Sequence, residues 1–329
     1  MKSNRAFSRK NRVYAMREFI LETFGDILTS NPVEGSDAPQ KCTILDVAGG
    51  KGILSWVLSN IDAIDSIVVD PRRTDYANLM KSVNYLQEHP IEAEERCIRN
   101  LPTFQPLAAC LKLKKGRSKN NQNVDGGNML TFTEPRHLRM YLDADLIEAI
   151  NRVKMNKEED FDSKEVTNDW EVFWSNATSK AENSCPIYGS KQNTQIEPLK
   201  ESHHDRGRIT DPEEVLSLFL SKNTKLIIGF HPDQATEPIV DLALLLKMPF
   251  VICPCCVFPS EFPNRFLPLS LCSTNSKIKL GDLGMRVRTY SEFIQYLQTK
   301  HKNIRTGTID MLSYTARNIV LYMLPEDFL

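Results

Sequence analysis

Apolar residues recur at helical spacing near the N-terminus, at Val13, Met16, Ile20 and Phe24 with Phe19 beside them, and predict an amphipathic helix. From residue 43 the pattern changes. Residues 43–47 (TILDV) form a short apolar run, residues 48–52 a glycine-rich turn, residues 53–59 a helix, and residues 66–70 (SIVVD) a second apolar run ending in an acid. Strand, glycine turn, helix, strand is the opening of a parallel, doubly wound sheet. Regular patterning resumes at Asp211, where an N-cap residue is followed by Pro212 at the first helical position and Glu214 at the third. The remainder reads as a helix to about 221, a strand at 225–229, a turn at 231–233, a helix at 235–246, a strand at 249–253, a helix at 290–300 and a terminal strand pair at 305–312 and 318–324. The third strand is expected either near 95–101 or near 130–133.

The middle of the chain lacks this order. Residues 112–128 and 175–208 are polar and residues 154–171 are charged, without an apolar period, so they read as insertions or flexible loops. Between them, residues 129–150 offer Leu138, Tyr141, Leu142, Leu146 and Ile147 to a core. The expected organisation is therefore one α/β domain in two halves, 1–86 and 210–329, with a partly disordered insertion at 87–209.

Composition narrows the function classes. Of 329 residues 41% are hydrophobic and 25% charged, enough for a sizeable core. A net charge of -1 does not advertise nucleic acid, so any basic surface is local: the N-terminal helix, Arg72-Arg73, residues 112–119, and Arg286 with Arg288. The eight cysteines are irregularly spaced and read as reduced thiols rather than a disulfide framework. No apolar run reaches the ~18 residues of a spanning helix, so no membrane partner is expected. Lys2, Arg5, Arg9, Lys10, Arg12 and Arg17 all precede the first acid, as in a mitochondrial presequence, but the stretch continues as the apolar face of a core-docked helix. A cytoplasmic or nuclear location is expected, with the basic N-terminus leaving a mitochondrial one open.

Two constellations carry candidate chemistry. Gly49, Gly50 and Gly52 after the first strand let backbone approach a ligand, but the spacing fits neither the dinucleotide fingerprint nor the phosphate loop. Asp46-x-Ala48-x-Gly50-x-Gly52, with Asp70 ending the second strand, instead resembles the acid-x-Gly-x-Gly-x-Gly pattern of class I, Rossmann-like S-adenosylmethionine-dependent methyltransferases, with Ala48 in the first glycine slot. The resemblance implies a mostly parallel sheet closed by a C-terminal antiparallel pair, a turn that holds the methionine part of the cofactor, and an acid, Asp70, that accepts the ribose hydroxyls. The second constellation is Gly229-Phe230-His231, then Ala235-Thr236-Glu237 opening a helix, then Cys255-Cys256 after the next strand. It resembles a subgroup of the same fold that includes a tRNA 2′-O-methyltransferase family, with Pro232-Asp233-Gln234 in place of the usual Cys-Gly.

That resemblance implies catalytic candidates at His231, Asp233, Glu237, Cys255 and Cys256, and cofactor contacts at Asp46, Ala48, Gly49, Gly50, Gly52 and Asp70. His231 is suited to take a proton from a target nucleophile, and Asp233 to partner it or accept from a substrate amine. The cysteines read first as small neutral fillers at the pocket floor and only second as covalent nucleophiles. No metal is expected, because only Cys272 and His231 stand out as extra ligands and neither spacing suits zinc. The implied activity is methyl transfer to RNA, with tRNA in view. The alternatives are a protein or small-molecule methyltransferase and an inactive scaffold of the same fold in an RNA–protein assembly.

Overall fold

A computed structural model of the chain describes residues 2–29, 42–74, 134–158, 163–185, 207–268, 284–309 and 317–329. In chain order the strands are β1 (Thr43–Val47), β2 (Asp65–Val69), β3 (Arg136–Leu138), β4 (Thr224–Phe230), β5 (Phe250–Cys253), β6 (Phe266–Leu267), β7 (Met285–Arg286), β8 (Arg305–Thr308) and β9 (Ile319–Met323). The helices are α1 (Lys2–Thr29), α2 (Ile53–Ile61), α3 (Ala144–Glu158), α4 (Ser163–Ser184), α5 (Pro212–Leu220), α6 (Thr236–Leu246) and α7 (Tyr290–Thr299). Seven strands form one sheet in the order β3-β2-β1-β4-β5-β9-β8, and β6 pairs β7 in a separate antiparallel ribbon. β1 to β5 run parallel, β9 lies antiparallel to β5, and β8 antiparallel to β9. The protein is thus α/β with a mostly parallel mixed sheet ending in the expected antiparallel pair.

The strands are near-continuous apolar runs because both sheet faces are covered. Successive side chains leave on opposite faces, and the cores divide accordingly. Ile44, Leu226, Ile228, Val251 and Val320 pack with α1 and α2 through Val13, Met16, Ile20, Phe24, Trp56 and Leu58. Leu45, Val47, Ile227, Phe250, Ile252 and Leu321 pack on the other face with residues of α3 to α7. The N-terminal helix docks by the predicted face, and Arg17 is pinned to Asp62 after α2 by a two-pronged ion pair, with Nε–Oδ2 at 2.6 Å.

Two expectations about the middle change. The third strand is Arg136–Leu138, after the second of the two proposed stretches, both of which lie outside the described residues. Its apolar signal is hidden because two of its three residues, Arg136 and His137, are polar. His137 is buried, places Nε2 2.9 Å from the Asp70 carbonyl, and exchanges backbone bonds with Gly207 and Ile209. Burial lowers its pKa. The reading of 154–171 and of 175 onward as loop is also corrected, since α3 reaches Glu158 and α4 spans Ser163–Ser184. Trp170, Trp174 and Ala181 are buried along one stripe of α4, and the two indole N–H groups donate to the Pro212 and Thr210 carbonyls at 2.7 and 3.1 Å. Two large aromatics, with Phe173 packed beside Trp170, thus anchor a helix that is otherwise mostly polar. Residues 112–128 lie outside the described residues. Among the described residues no helix is long and apolar enough to cross a membrane.

Candidate functional site at the carboxyl edge of the sheet

The chain order reverses at β1, with β2 on one side and β4 on the other, so the turns after β1 and β4 leave the sheet side by side. Such a switch point is where open α/β sheets bind ligands. Register keeps the ends level: Val47 pairs with Val69, and Phe230 with Cys253. The predicted residues from the two constellations therefore share one edge, apart from Glu237.

At the end of β1, Asp46 is buried. Its Oδ2 accepts from Ser55 Oγ at 2.8 Å while its Oδ1 has no partner among the described residues. Burial, reinforced by the negative charge of Asp70, pushes its pKa up to about 7. Gly49 is required here because a Cβ would stand 2.7 Å from Asp46 Oδ2. Ala48 takes φ 54°, a left-handed conformation that costs about 1–3 kcal/mol for a residue with a side chain. Asp70, just past β2, is wholly buried and fully used. Its Oδ2 accepts from Gly50 N–H and Arg72 Nη2, both at 2.9 Å, and its Oδ1 from Arg72 N–H at 2.8 Å and Arg72 Nε at 3.0 Å. The Arg72 side chain closing over it is itself 62% exposed.

The ends of β4 and β5 are built differently. His231 and Asp233 both have positive φ, 55° and 48°. The His231 N–H donates to the Cys253 carbonyl at 3.1 Å, and Arg12 Nη1 stands 3.2 Å from His231 Nε2. A guanidinium only donates, so Nε2 accepts and the ring is neutral. Burial, followed by the charges of Arg12 and Arg317, lowers its pKa to about 4. Cys255 Sγ donates to Asp233 Oδ1 at 3.0 Å. Burial and that carboxylate push the Cys255 thiol up, which favours its neutral form in this arrangement. Cys253 is buried, raised to about 12 by burial, and directed to the Arg317 carbonyl at 3.5 Å. The Tyr290 hydroxyl is buried without a partner among the described residues, and the Arg317 guanidinium lies 4.4 Å from the ring centroid.

Glu237 does not join this group. Burial opposes its charge, but Lys300, Tyr296 and Arg265 hold its pKa below the usual carboxylate value, at 2.7, 2.5 and 2.5 Å. Arg265 is in turn sandwiched by Phe262 and Phe293. This buried ion cluster ties α6 to α7 and to the segment before β6.

Sequence reasoning did not single out Tyr290 or Arg317, which come from separate segments and have no motif, nor foresee that Arg72 would cover Asp70. Comparison with family models, curated proteins and solved structures gives no match for this chain.

Proposed function

We propose that the chain is an S-adenosylmethionine-dependent methyltransferase of the class I type. The observation that carries the reading is the sheet order β3-β2-β1-β4-β5-β9-β8, with its one reversed strand inserted next to β5, together with acids at the ends of β1 and β2 beside the switch point. The orphaned Asp46 Oδ1 supports it, because a buried acceptor without a donor among the described residues suits a polar ligand group. When bound, that cofactor supplies an electrophilic methyl group on a sulfonium sulfur. Residues 48–52 would hold its amino-acid end, and Asp70 its ribose once the exposed Arg72 side chain swings away.

His231 orients the acceptor rather than stripping its proton beforehand, since a base with a pKa near 4 is too weak to ionise a hydroxyl or an ammonium group. Its proton-free Nε2, which accepts from Arg12 in this structure, guides a hydroxyl or amine once Arg12 moves aside, and the acceptor becomes acidic as it gains the methyl group. RNA is the favoured acceptor class. Arg12 and Arg317 act electrostatically on His231, and Arg72 on Asp233, so the edge carries a cationic rim suited to phosphates.

The saturation of Asp70 favours a second reading, an inactive scaffold of the same fold. Labelled S-adenosylmethionine incubated with separately fractionated tRNA, rRNA and protein tests both. Transfer to an RNA fraction is expected. The Asp70→Ala variant should lose about 1.5–3 kcal/mol of cofactor affinity, tenfold or more. Calorimetry showing no cofactor binding by the parent chain would replace the enzyme reading with the scaffold.

A further inference from the structure

The turn after β4 brings Asp233 to the adjacent cysteines of the turn after β5, 22 residues on in the sequence. Asp233, Cys255 and Cys256 each offer a ligand atom, and these atoms all lie within 4.8 Å of one another. The two cysteines are half-buried and Asp233 is exposed, so the cluster opens to solvent on the carboxylate side. We propose that Asp233, Cys255 and Cys256 form a binding site for a thiophilic divalent cation, zinc in the first instance, with no fourth ligand among the described residues.

Ligand softness decides the metal. Two sulfurs and one oxygen do not suit magnesium or calcium, which take oxygen shells, but they suit zinc, at about 2.3 Å to sulfur and about 2.0–2.2 Å to a carboxylate oxygen. Atoms within 4.8 Å of one another already span little more than the edge of such a tetrahedron. The spacing is fixed by the sheet and not by a flexible loop. Phe230 pairs with Cys253 in the parallel register, and the His231 N–H is bonded to the Cys253 carbonyl at 3.1 Å, so the two turns start from one locked point. In the metal-free arrangement the Cys255 thiol donates to Asp233. Metal binding replaces that hydrogen bond, the two thiols release one proton each to solvent, and both sulfurs bind as thiolates. Three anionic ligands and a dication leave a net charge of about -1, which faces the Arg72 guanidinium already in electrostatic reach of Asp233. With three protein ligands among the described residues, the fourth position is one that water or a donor atom of the acceptor molecule can take, as in a working site rather than a purely structural one. The inference stands on the cluster alone and survives if methyl transfer is not the activity.

The test uses the full chain, reduced and dialysed against a chelator, and titrated with Co²⁺ and then Zn²⁺. One equivalent of Co²⁺ should produce an intense thiolate-to-cobalt band in the near ultraviolet, which Zn²⁺ then abolishes, with release of two protons per site. C255S and C256S should each lower the band and weaken binding by more than the ~10–100-fold that losing a mere outer partner costs. D233N should weaken binding while keeping the band, because both thiolates remain. C42S, at the opposite end of β1, where the thiol donates to the Ile27 carbonyl, should change nothing. If a cysteine variant fails to fold, the parent titration and D233N still decide. A parent chain with no thiolate band at one equivalent, or a band that survives in both C255S and C256S, overturns the site.

Discussion

At the ends of β1 and β2 the acids are buried, and Asp70 receives donors on both oxygens from Gly50 and Arg72. At the ends of β4 and β5 the groups are half-open: Asp233 is exposed, His231 and Asp233 sit in left-handed backbone, and the Tyr290 hydroxyl has no partner among the described residues. Both halves carry strain and an orphaned polar atom, Ala48 and Asp46 Oδ1 in the first, and His231, Asp233 and the Tyr290 hydroxyl in the second, but Arg72 closes the first over Asp70 whereas the second opens to solvent at Asp233. Strain and unsatisfied polar groups cost free energy and persist where surrounding packing over-determines them. The difference is one of access: on the proposed reading the β4–β5 half is open to an acceptor, whereas the β1–β2 half must open, through Arg72, before it can bind a cofactor.

The largest expected effect separates Glu237 from both halves. Glu237→Ala leaves Arg265, only 3% exposed, without its carboxylate partner, and should cost about 3–5 kcal/mol in denaturant unfolding. Unchanged stability with lost methyl transfer would return Glu237 to the catalytic group.

Next, the two halves should titrate in opposite directions. Asp46 has a folded pKa of about 7, above the ~3.9 of an unfolded carboxyl, so folding takes up a proton between these values. Its contribution to stability is greatest below ~4 and is lost as pH rises to ~7, on the order of 4 kcal/mol in all. His231 has a folded pKa of about 4, below the ~6.5 of an unfolded imidazole, so its contribution is present above ~6.5 and is lost as pH falls to ~4. Partial solvent access holds that loss to about 2 kcal/mol. Urea unfolding from about pH 4 to 7.5 checks both: Asp46→Asn should leave stability rising with pH, and His231→Gln should leave it falling. Parallel slopes in the two variants would show that the halves are not distinguished in this way.

A smaller effect comes from the clamp itself. Arg72→Ala keeps the Gly50 and residue-72 N–H donors on Asp70 but removes the guanidinium fork, and should cost about 1–2 kcal/mol of stability. The same change should raise S-adenosylmethionine affinity about 3–10-fold by uncovering Asp70, read by calorimetry beside Asp70→Ala. An affinity that Arg72→Ala leaves unmoved removes Arg72 as the competitor. The smallest effect is at Arg12. Arg12→Ala withdraws a positive charge from His231 and should raise the imidazole pKa by less than ~1 unit in an NMR titration. A stationary value would assign the whole depression to burial and Arg317.

The sequence by itself determined the elements whose periodicity is strong. The docked face of α1, the runs of β1, β2, β4 and β5, the Asp211 cap of α5 and the β8–β9 pair were all legible, because burial on defined faces imposes apolar spacing. The edge residues were legible as candidates, because glycine turns and acids at strand ends are local patterns. Tertiary structure alone decided the rest. β3 is three residues with polar side chains, and only pairing with β2 and the 207–209 segment makes it a strand. α4 is read from two tryptophans that gain meaning only against the start of α5. Arg72 on Asp70, Glu237 in an ion cluster and Asp233 beside Cys255 are side-chain choices among several partners of matching charge or hydrogen-bonding capacity. Composition offers all of those partners at once. The parallel register of β4 and β5, and the packing of α6 against α7, select one by placing it within bonding distance.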